Sequence, residues 1–313
     1  MLSVAIQTLG ITAPVFVMLF IGVALKRLGW IDAAFIQTAS ALVFKATMPT
    51  LLFLSIINAD LDAALQPALL TYYVIATVVT FFLAWAWAIW RCPLVDRGVY
   101  VQGAFRGNNG IVGLALATSL YGDYGLSLGG VLAGIVILVY NSLSALILAI
   151  YSPDGRLSAG SILLSILRNP LVIGVTAAVP FAYWQIPLPE WLLTSGRYFA
   201  QMTLPLALIC IGGTLTLSVL RESSRTAMSS SMMKMLWLPA LATLGAGLLG
   251  FRGAELGILF LYFASPTASA SYVMARAVNA NHQLAAVIIV ITTLMAALSV
   301  NVGLFLLGWV GWI

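Results

Sequence analysis

Long apolar runs alternate along the chain with short polar clusters, and the runs have the length of a bilayer. A helix crossing the hydrocarbon core needs about 20 mostly apolar residues at about 1.5 Å rise each. On that measure the pattern predicts ten spanning helices, near 4–25, 34–57, 67–90, 98–121, 127–150, 161–184, 195–218, 233–250, 254–276 and 283–308. The eighth run is the shortest. The longest polar stretch, Arg221 to Lys234, reads as a Ser-rich connector, and nothing is left over for a soluble domain. The expected fold class is an all-α polytopic membrane protein. Basic residues Lys26 and Arg27 follow the first run rather than precede it, so that run reads as a retained helix and not a cleaved leader.

A shift of 156 residues lays the first five runs on the last five. Pro14 falls on Pro170, Pro49 on Pro205, Thr47 on Thr203 and Leu52 on Leu208. The segment Arg106 to Gly110 falls on Tyr262 to Pro266. Five is an odd number, so a second repeat at 153–313 would insert upside down relative to a first at 1–152. Inverted repeats with interrupted helices at matching places are a transporter signature. The four prolines are expected to act as kinks.

Composition agrees with this pattern. Of 313 residues 62% are hydrophobic and 7% charged, against roughly 25% charged in soluble domains. The net charge is +5, but the basic residues stand singly between apolar runs. That arrangement sets membrane topology and does not bind nucleic acid. One set of loops, with Arg168 just inside a helix, holds Lys26, Arg27, Arg91, Arg97, Arg156, Arg168, Arg221, Arg225, Lys234 and Arg276. The opposite face holds Arg197 and Arg252 beside the acidic Asp60, Asp62, Asp123 and Glu190. The first set should therefore be cytoplasmic, with both termini outside the bacterial inner membrane. Trp30, Trp90, Trp191 and Trp309 near the span ends suit interfacial anchoring. Cys92 and Cys210 read as small buried hydrophobes rather than a disulfide. No Cys/His spacing points to a metal or cofactor, and none is expected.

Two spans carry interruptions. The fourth contains Arg106-Gly107-Asn108-Asn109-Gly110, poor helix formers at mid-membrane. Asn109 is expected to cap a second half-helix starting near Gly110. The ninth contains Ser265-Pro266-Thr267, in which Ser as N-cap and Pro as first helical residue would restart a helix. Helix N-termini aimed at one point attract anions. The plainer alternative is that Gly, Ser and Pro permit packing or a kink.

Charge sharpens the reading. Lys45 lies about 17 Å into the second span, and Arg106 lies beside the first interruption. A charge near mid-membrane costs at least about 2.5 kcal/mol, so it marks a pathway or a partner, unless it snorkels or pairs with carbonyls. No Asp or Glu falls deep in any span. The cavity is therefore expected to be positive and to favour an anion. Asn141 in the fifth span is a further candidate contact. Thr292, Thr293, Ser299 and Asn301 in the tenth should meet the broken backbones or the cargo. The single histidine, His282, reads as a solvated loop residue.

Phe105-Arg106-Gly107-Asn108-Asn109-Gly110 followed by Gly113-Leu114-Ala115-Leu116 resembles the fourth helix of auxin efflux carrier family members of the bacterial branch. Tyr140-Asn141, Asn169-Pro170, Leu204-Pro205-Leu206-Ala207-Leu208 with Gly212-Gly213, and the Pro266 region resemble the family in the same order. The resemblance covers essentially the whole chain. It implies a ten-helix fold of two inverted five-helix repeats, related to bile-acid symporters and sodium/proton antiporters. In that fold spans 1, 2, 6 and 7 form a scaffold, often homodimeric. Spans 3–5 and 8–10 form a transport domain that moves like an elevator, with helices four and nine crossing at their breaks beside the cargo. The bacterial branch includes carriers assigned to malonate or malate. Plant members have Pro beside Asn at the fourth-helix break and an acid in the third helix near the second-helix lysine; this chain has neither. Their long central loop is absent as well.

The expected function is thus secondary transport of a small organic anion, a carboxylate, in the lipid bilayer. The contacts expected are Arg106, Gly107, Asn108, Asn109, Gly110, Asn141, Ser265, Pro266, Thr267 and Lys45. The alternative is a sodium-coupled symporter or cation antiporter of the same fold. An enzyme would need a nucleophile–base pair or a metal site, and no such motif is visible. A passive channel would not need an inverted repeat.

Overall fold

The computed structural model describes residues 2–57, 66–151, 164, 168, 170–215 and 225–313 of the chain. Asp60, Asp62, Asp154, Arg156, Asn169, Arg221, Glu222 and the expected repeat boundary at 152/153 lie outside the described residues. Helix is the only regular structure among those described. The elements are α1 (Leu2–Arg27), α2 (Ala33–Ile57), α3 (Pro67–Arg91), α4 (Arg97–Phe105), α5 (109–121) and α6 (123–151). There follow α7 (Pro170–Tyr183), α8 (Glu190–Gln201), α9 (Thr203–Thr214), α10 (225–248), α11 (Gly253–Phe263), α12 (Ala270–Ala277) and α13 (His282–Trp309). Among the described residues four segments, Ala33–Ile57, Pro67–Arg91, Asn109–Tyr151 and His282–Trp309, are long and apolar enough to cross a membrane, the third of them broken at Gly122. With Leu, Ile, Phe and Trp exposed along their outer faces, these helices have the character of a multi-pass membrane protein.

Several boundaries differ from the sequence pattern. The fourth and fifth runs are joined by one residue: Gly122 sits at φ 56 and ψ −136, a conformation that only glycine adopts without strain. Asp123 is therefore the start of α6 and not a loop residue. The seventh run is split at Met202 into α8 and α9. The Ser-rich stretch before Leu236 is not a connector from Arg225 onward. It is the first half of α10, with Ser230 and Ser231 buried. Ser230 Oγ donates to Tyr100 O at 3.0 Å and Ser231 Oγ to Ala227 O at 2.8 Å. Hydroxyls satisfied by carbonyls in this way can sit in an apolar interior.

The prolines do not act alike. Pro14 lies inside α1, which continues through it. Pro49 follows a π turn at Val43–Thr47 in α2, and Pro239 follows one at Met233–Trp237 in α10. A π turn absorbs the carbonyl that a proline leaves without a donor. Pro170 is the first described residue of α7 and Pro205 lies in the first turn of α9, where a proline needs no partner for its nitrogen. Only Pro49 among the four therefore sits at a mid-helix irregularity.

α1 runs along α9 and α13, α2 packs on α7 and α8, and α3 packs on α4 and α6. α10 contacts α11, α13 and α4. The tightest crossing is α1 on α9: a Cβ on Gly22 would overlap Ile209 O, and one on Gly212 would overlap Leu19 O. Small residues let backbones meet in this way where lipid gives no hydrophobic drive. The main core surrounds α4, α11 and α13; residues 256–264, which run to the end of α11 and its C-cap, are buried throughout. That burial places the two interrupted helices at the centre of the molecule.

Candidate functional site

α4 ends at Phe105, and three residues pass before α5 begins at Asn109. α11 ends at Phe263, and α12 begins at Ala270. The two interruptions lie against each other. Asn108 N donates to Pro266 O at 2.7 Å and Ala268 N to Arg106 O at 3.3 Å, which makes Gly107 and Thr267 a single antiparallel bridge. A broken backbone in lipid must find partners, and here each break supplies the other. The gapless 156-residue register placed Gly107 on Phe263, but Phe263 closes an intact helix; by this point the halves are several residues out of step.

The first break carries its own cation. Arg106 is the C-cap of α4 and is buried. Its Nη1 donates to Ser144 Oγ at 3.1 Å and Met274 Sδ at 3.0 Å, and its Nη2 to Asn141 Oδ1 at 2.9 Å; Nε has no partner. Asn109 does not cap α5. Its Nδ2 donates to the hydroxyls of Tyr73 and Tyr140, while its Oδ1 is buried without a partner. The first turn of α5 is instead closed by the Asn108 carbonyl, which accepts from Val112 N at 2.9 Å and Gly113 N at 3.2 Å.

The second break borrows its cation. Lys234, read from the sequence as a loop residue that marks orientation, is 2% exposed. It sits in the π turn of α10, and its Nζ donates to Phe263 O at 3.0 Å. The C-terminal end of a helix carries about half a negative charge, so an ammonium there has a partner in the α11 dipole. Ser265 does not start a helix; its hydroxyl turns back to Leu261 O at 2.9 Å. Thr267 Oγ1 donates to Gly103 O at 2.7 Å, and its amide to Thr292 Oγ1 at 3.1 Å. The N-cap of α12 is Ser269, whose Oγ is buried and without a partner.

Beside the crossing lies a cavity of about 710 Å³. Its lining combines Arg106, Gly107, Asn108, Asn109, Gly110 and Ser269 with the polar Ser40, Tyr140, Thr214 and Tyr272 and with many apolar side chains, Val43, Met48, Val136 and Ile289 among them. Ile111 N and Val112 N of α5 donate to Asn108 O, and Ser271 N and Tyr272 N of α12 donate to Ala268 O and Ser269 O; the residues that open the two helices, Asn109 and Gly110 in one and Ser269 and Ala270 in the other, line the cavity. The arrangement can hold a negative group against one guanidinium and two helix starts, in a cavity lined mainly by apolar side chains.

Of the expected contacts, Arg106 to Gly110 line the cavity. Asn141 orients Arg106 from behind, and Ser265, Pro266 and Thr267 build the crossing without lining the cavity. Lys45 is exposed; its neighbours Val43 and Phe44 line the cavity and it does not. One helical step turns a side chain by about 100°, which is enough to place Lys45 outside. Tyr73, Tyr140, Lys234 and Ser269 were not among the expected contacts. A tyrosine in an apolar run gives no periodic signal, and Lys234 was hidden by its position near a run's end. Thr293 and Asn301 bond carbonyls of their own helix. Cys92 and Cys210 are both free and buried, and Cys210 lines the cavity. Ion pairing is sparse: the described residues contain one pair, Arg197–Glu190 at an exposed end, and neither Arg106 nor Lys234 has a carboxylate partner.

A family profile described as "Membrane transport protein" matches residues 9–153 and 154–304. An "Uncharacterized transporter" of Methanothermobacter thermautotrophicus is 25% identical over 290 residues, covering 91% of this chain and 93% of that protein. A second uncharacterized transporter, from Methanocaldococcus jannaschii, is 24% identical over 309 residues, covering 95% of this chain and 96% of its own.

Proposed function

The chain belongs to the auxin efflux carrier family of membrane transport proteins, and on that premise we propose that it is a secondary carrier for a small organic anion, a carboxylate. The observation that carries the reading is the lone Arg106 guanidinium: buried, without a carboxylate partner, and beside a cavity that two helix N-termini also face. A buried cation with no anion is costly, and a carboxylate cargo would supply the missing charge through short charge-assisted bonds. The mainly apolar lining of the cavity favours cargo with one charged end and hydrocarbon behind it. A second carboxylate pressed on Val136 or Ile289 would be desolvated without a partner.

The wider architecture belongs to the same proposal. Ten spans form two inverted repeats, with the N- and C-termini outside the bacterial inner membrane. α1, α2, α7, α8 and α9 serve as scaffold, and a homodimer would form through it. α3 to α6 and α10 to α13 move together, carrying the crossing and its cargo from one face to the other. The mutual packing within each group supports this division. Hydrogen bonds across the crossing join the two breaks into one unit, so cargo held there would travel with both. Transport, not catalysis, is the proposed activity.

The test is thermal-shift screening of purified protein against a panel of mono- and dicarboxylates, followed by uptake of the stabilising acids into proteoliposomes. The expected result is saturable stabilisation and uptake by wild type and neither by Arg106→Ala. Carboxylate uptake unchanged in Arg106→Ala would remove the site.

A further inference from the structure

The Lys234 ammonium is not used by that reading: it does not line the cavity, and it faces the back of the crossing. Phe263 O, the terminal carbonyl of α11, takes one of the ammonium's three N–H groups at 3.0 Å. Gly107 lies close by: a Cβ there would stand 3.1 Å from Lys234 Nζ and would overlap Asn109 Oδ1. The Asn109 amide oxygen and the ammonium thus both lie beside Gly107, and that oxygen is buried and without a hydrogen-bond partner. Its orientation is fixed from the other end, where Nδ2 donates to two tyrosine hydroxyls. A carbonyl at a helix C-terminus and an unpaired amide oxygen, both shielded from water, form a seat for a positive guest. Among the described residues no Asp or Glu belongs to it, so the seat suits a single charge. Oxygen ligands of this kind hold monovalent cations between broken helices in other carriers.

We propose that Lys234 is a tethered substitute for a free monovalent cation: its ammonium fills an oxygen-lined seat behind the crossing, and the protein therefore works without Na⁺ or K⁺. The side chain holds the α11 end against Gly107 permanently, where a free ion would do so only when bound. Removing the ammonium uncovers the seat and creates a cation requirement that the natural chain lacks.

Thermal unfolding of the full-length protein at constant ionic strength tests this without any cargo, so its outcome is separate from that of the transport assay. Wild type should unfold at the same temperature in NaCl, KCl and N-methyl-D-glucamine chloride. Lys234→Ser should unfold at a lower temperature and recover at least about 3 °C, saturably, with Na⁺, K⁺ or methylammonium. Saturable stabilisation of wild type by Na⁺ or K⁺ would overturn the proposal, and so would a folded Lys234→Ser that ignores all three ions. If Lys234→Ser fails to yield monodisperse protein, purification is repeated with each salt. Recovery in Na⁺, K⁺ or methylammonium alone supports the seat, and equal failure in all overturns it.

Discussion

The two interruptions face each other across a pair of hydrogen bonds, yet they are built differently. In the first, Arg106-Gly107-Asn108-Asn109-Gly110, long polar side chains reach away from their own backbone. Arg106 reaches three side chains on α6 and α12, and Asn109 reaches two tyrosines. All five residues also line the cavity. In the second, Ser265, Pro266 and Thr267 have side chains too short to reach far. Ser265 bonds the turn before it, and Thr267 bonds α4 and α13. Only Ala268 and Ser269 of that break line the cavity. The cation follows the same division: the first break supplies one, while the second takes Lys234 from α10. Side-chain length thus separates a break whose side chains reach distant partners and the cavity from one that bonds only what lies against it, and on the proposed reading the first is the one that would meet cargo.

That contrast can be broken by substitution. Arg106→Ala should have the largest effect, a fall in carboxylate uptake of at least about 100-fold, since removing a buried charge-assisted contact costs about 3 kcal/mol or more. Arg106→Lys should recover little of it, because an ammonium cannot fan out to Asn141, Ser144 and Met274 together. Asn109→Ala should follow, with uptake reduced about 10-fold and the protein still monodisperse. Thr267→Val should act mainly on stability, lowering it by about 1–2 kcal/mol through the loss of the bond to Gly103 O, as read by thermal unfolding. Ser265→Ala should change uptake by less than about 2-fold, since its hydroxyl serves only its own helix. Lys45→Ala should do the same, as an exposed residue outside the cavity. Equal losses in Asn109→Ala and Ser265→Ala would erase the distinction between the breaks.

The apolar runs, the near absence of charge and the two Gly/Asn and Ser/Pro interruptions were legible in the sequence. They predicted the helical fold class and the place of both breaks, but not the split at Met202 or the helical course of the Ser-rich stretch from Arg225. Those features depend on local properties: hydrophobic length, backbone freedom at glycine, and the missing N–H of proline. Which side chain turns inward is not local. Lys45 and Lys234 are the same residue type in comparable runs, and each lies in a π turn of its helix. One is exposed and the other is buried against Phe263 O. Asn109 could equally have capped its own helix; that it reaches Tyr73, 36 positions away, depends on α3 lying beside it. A side chain's direction around a helix and its distant partners are fixed by packing, and no residue spacing encodes them.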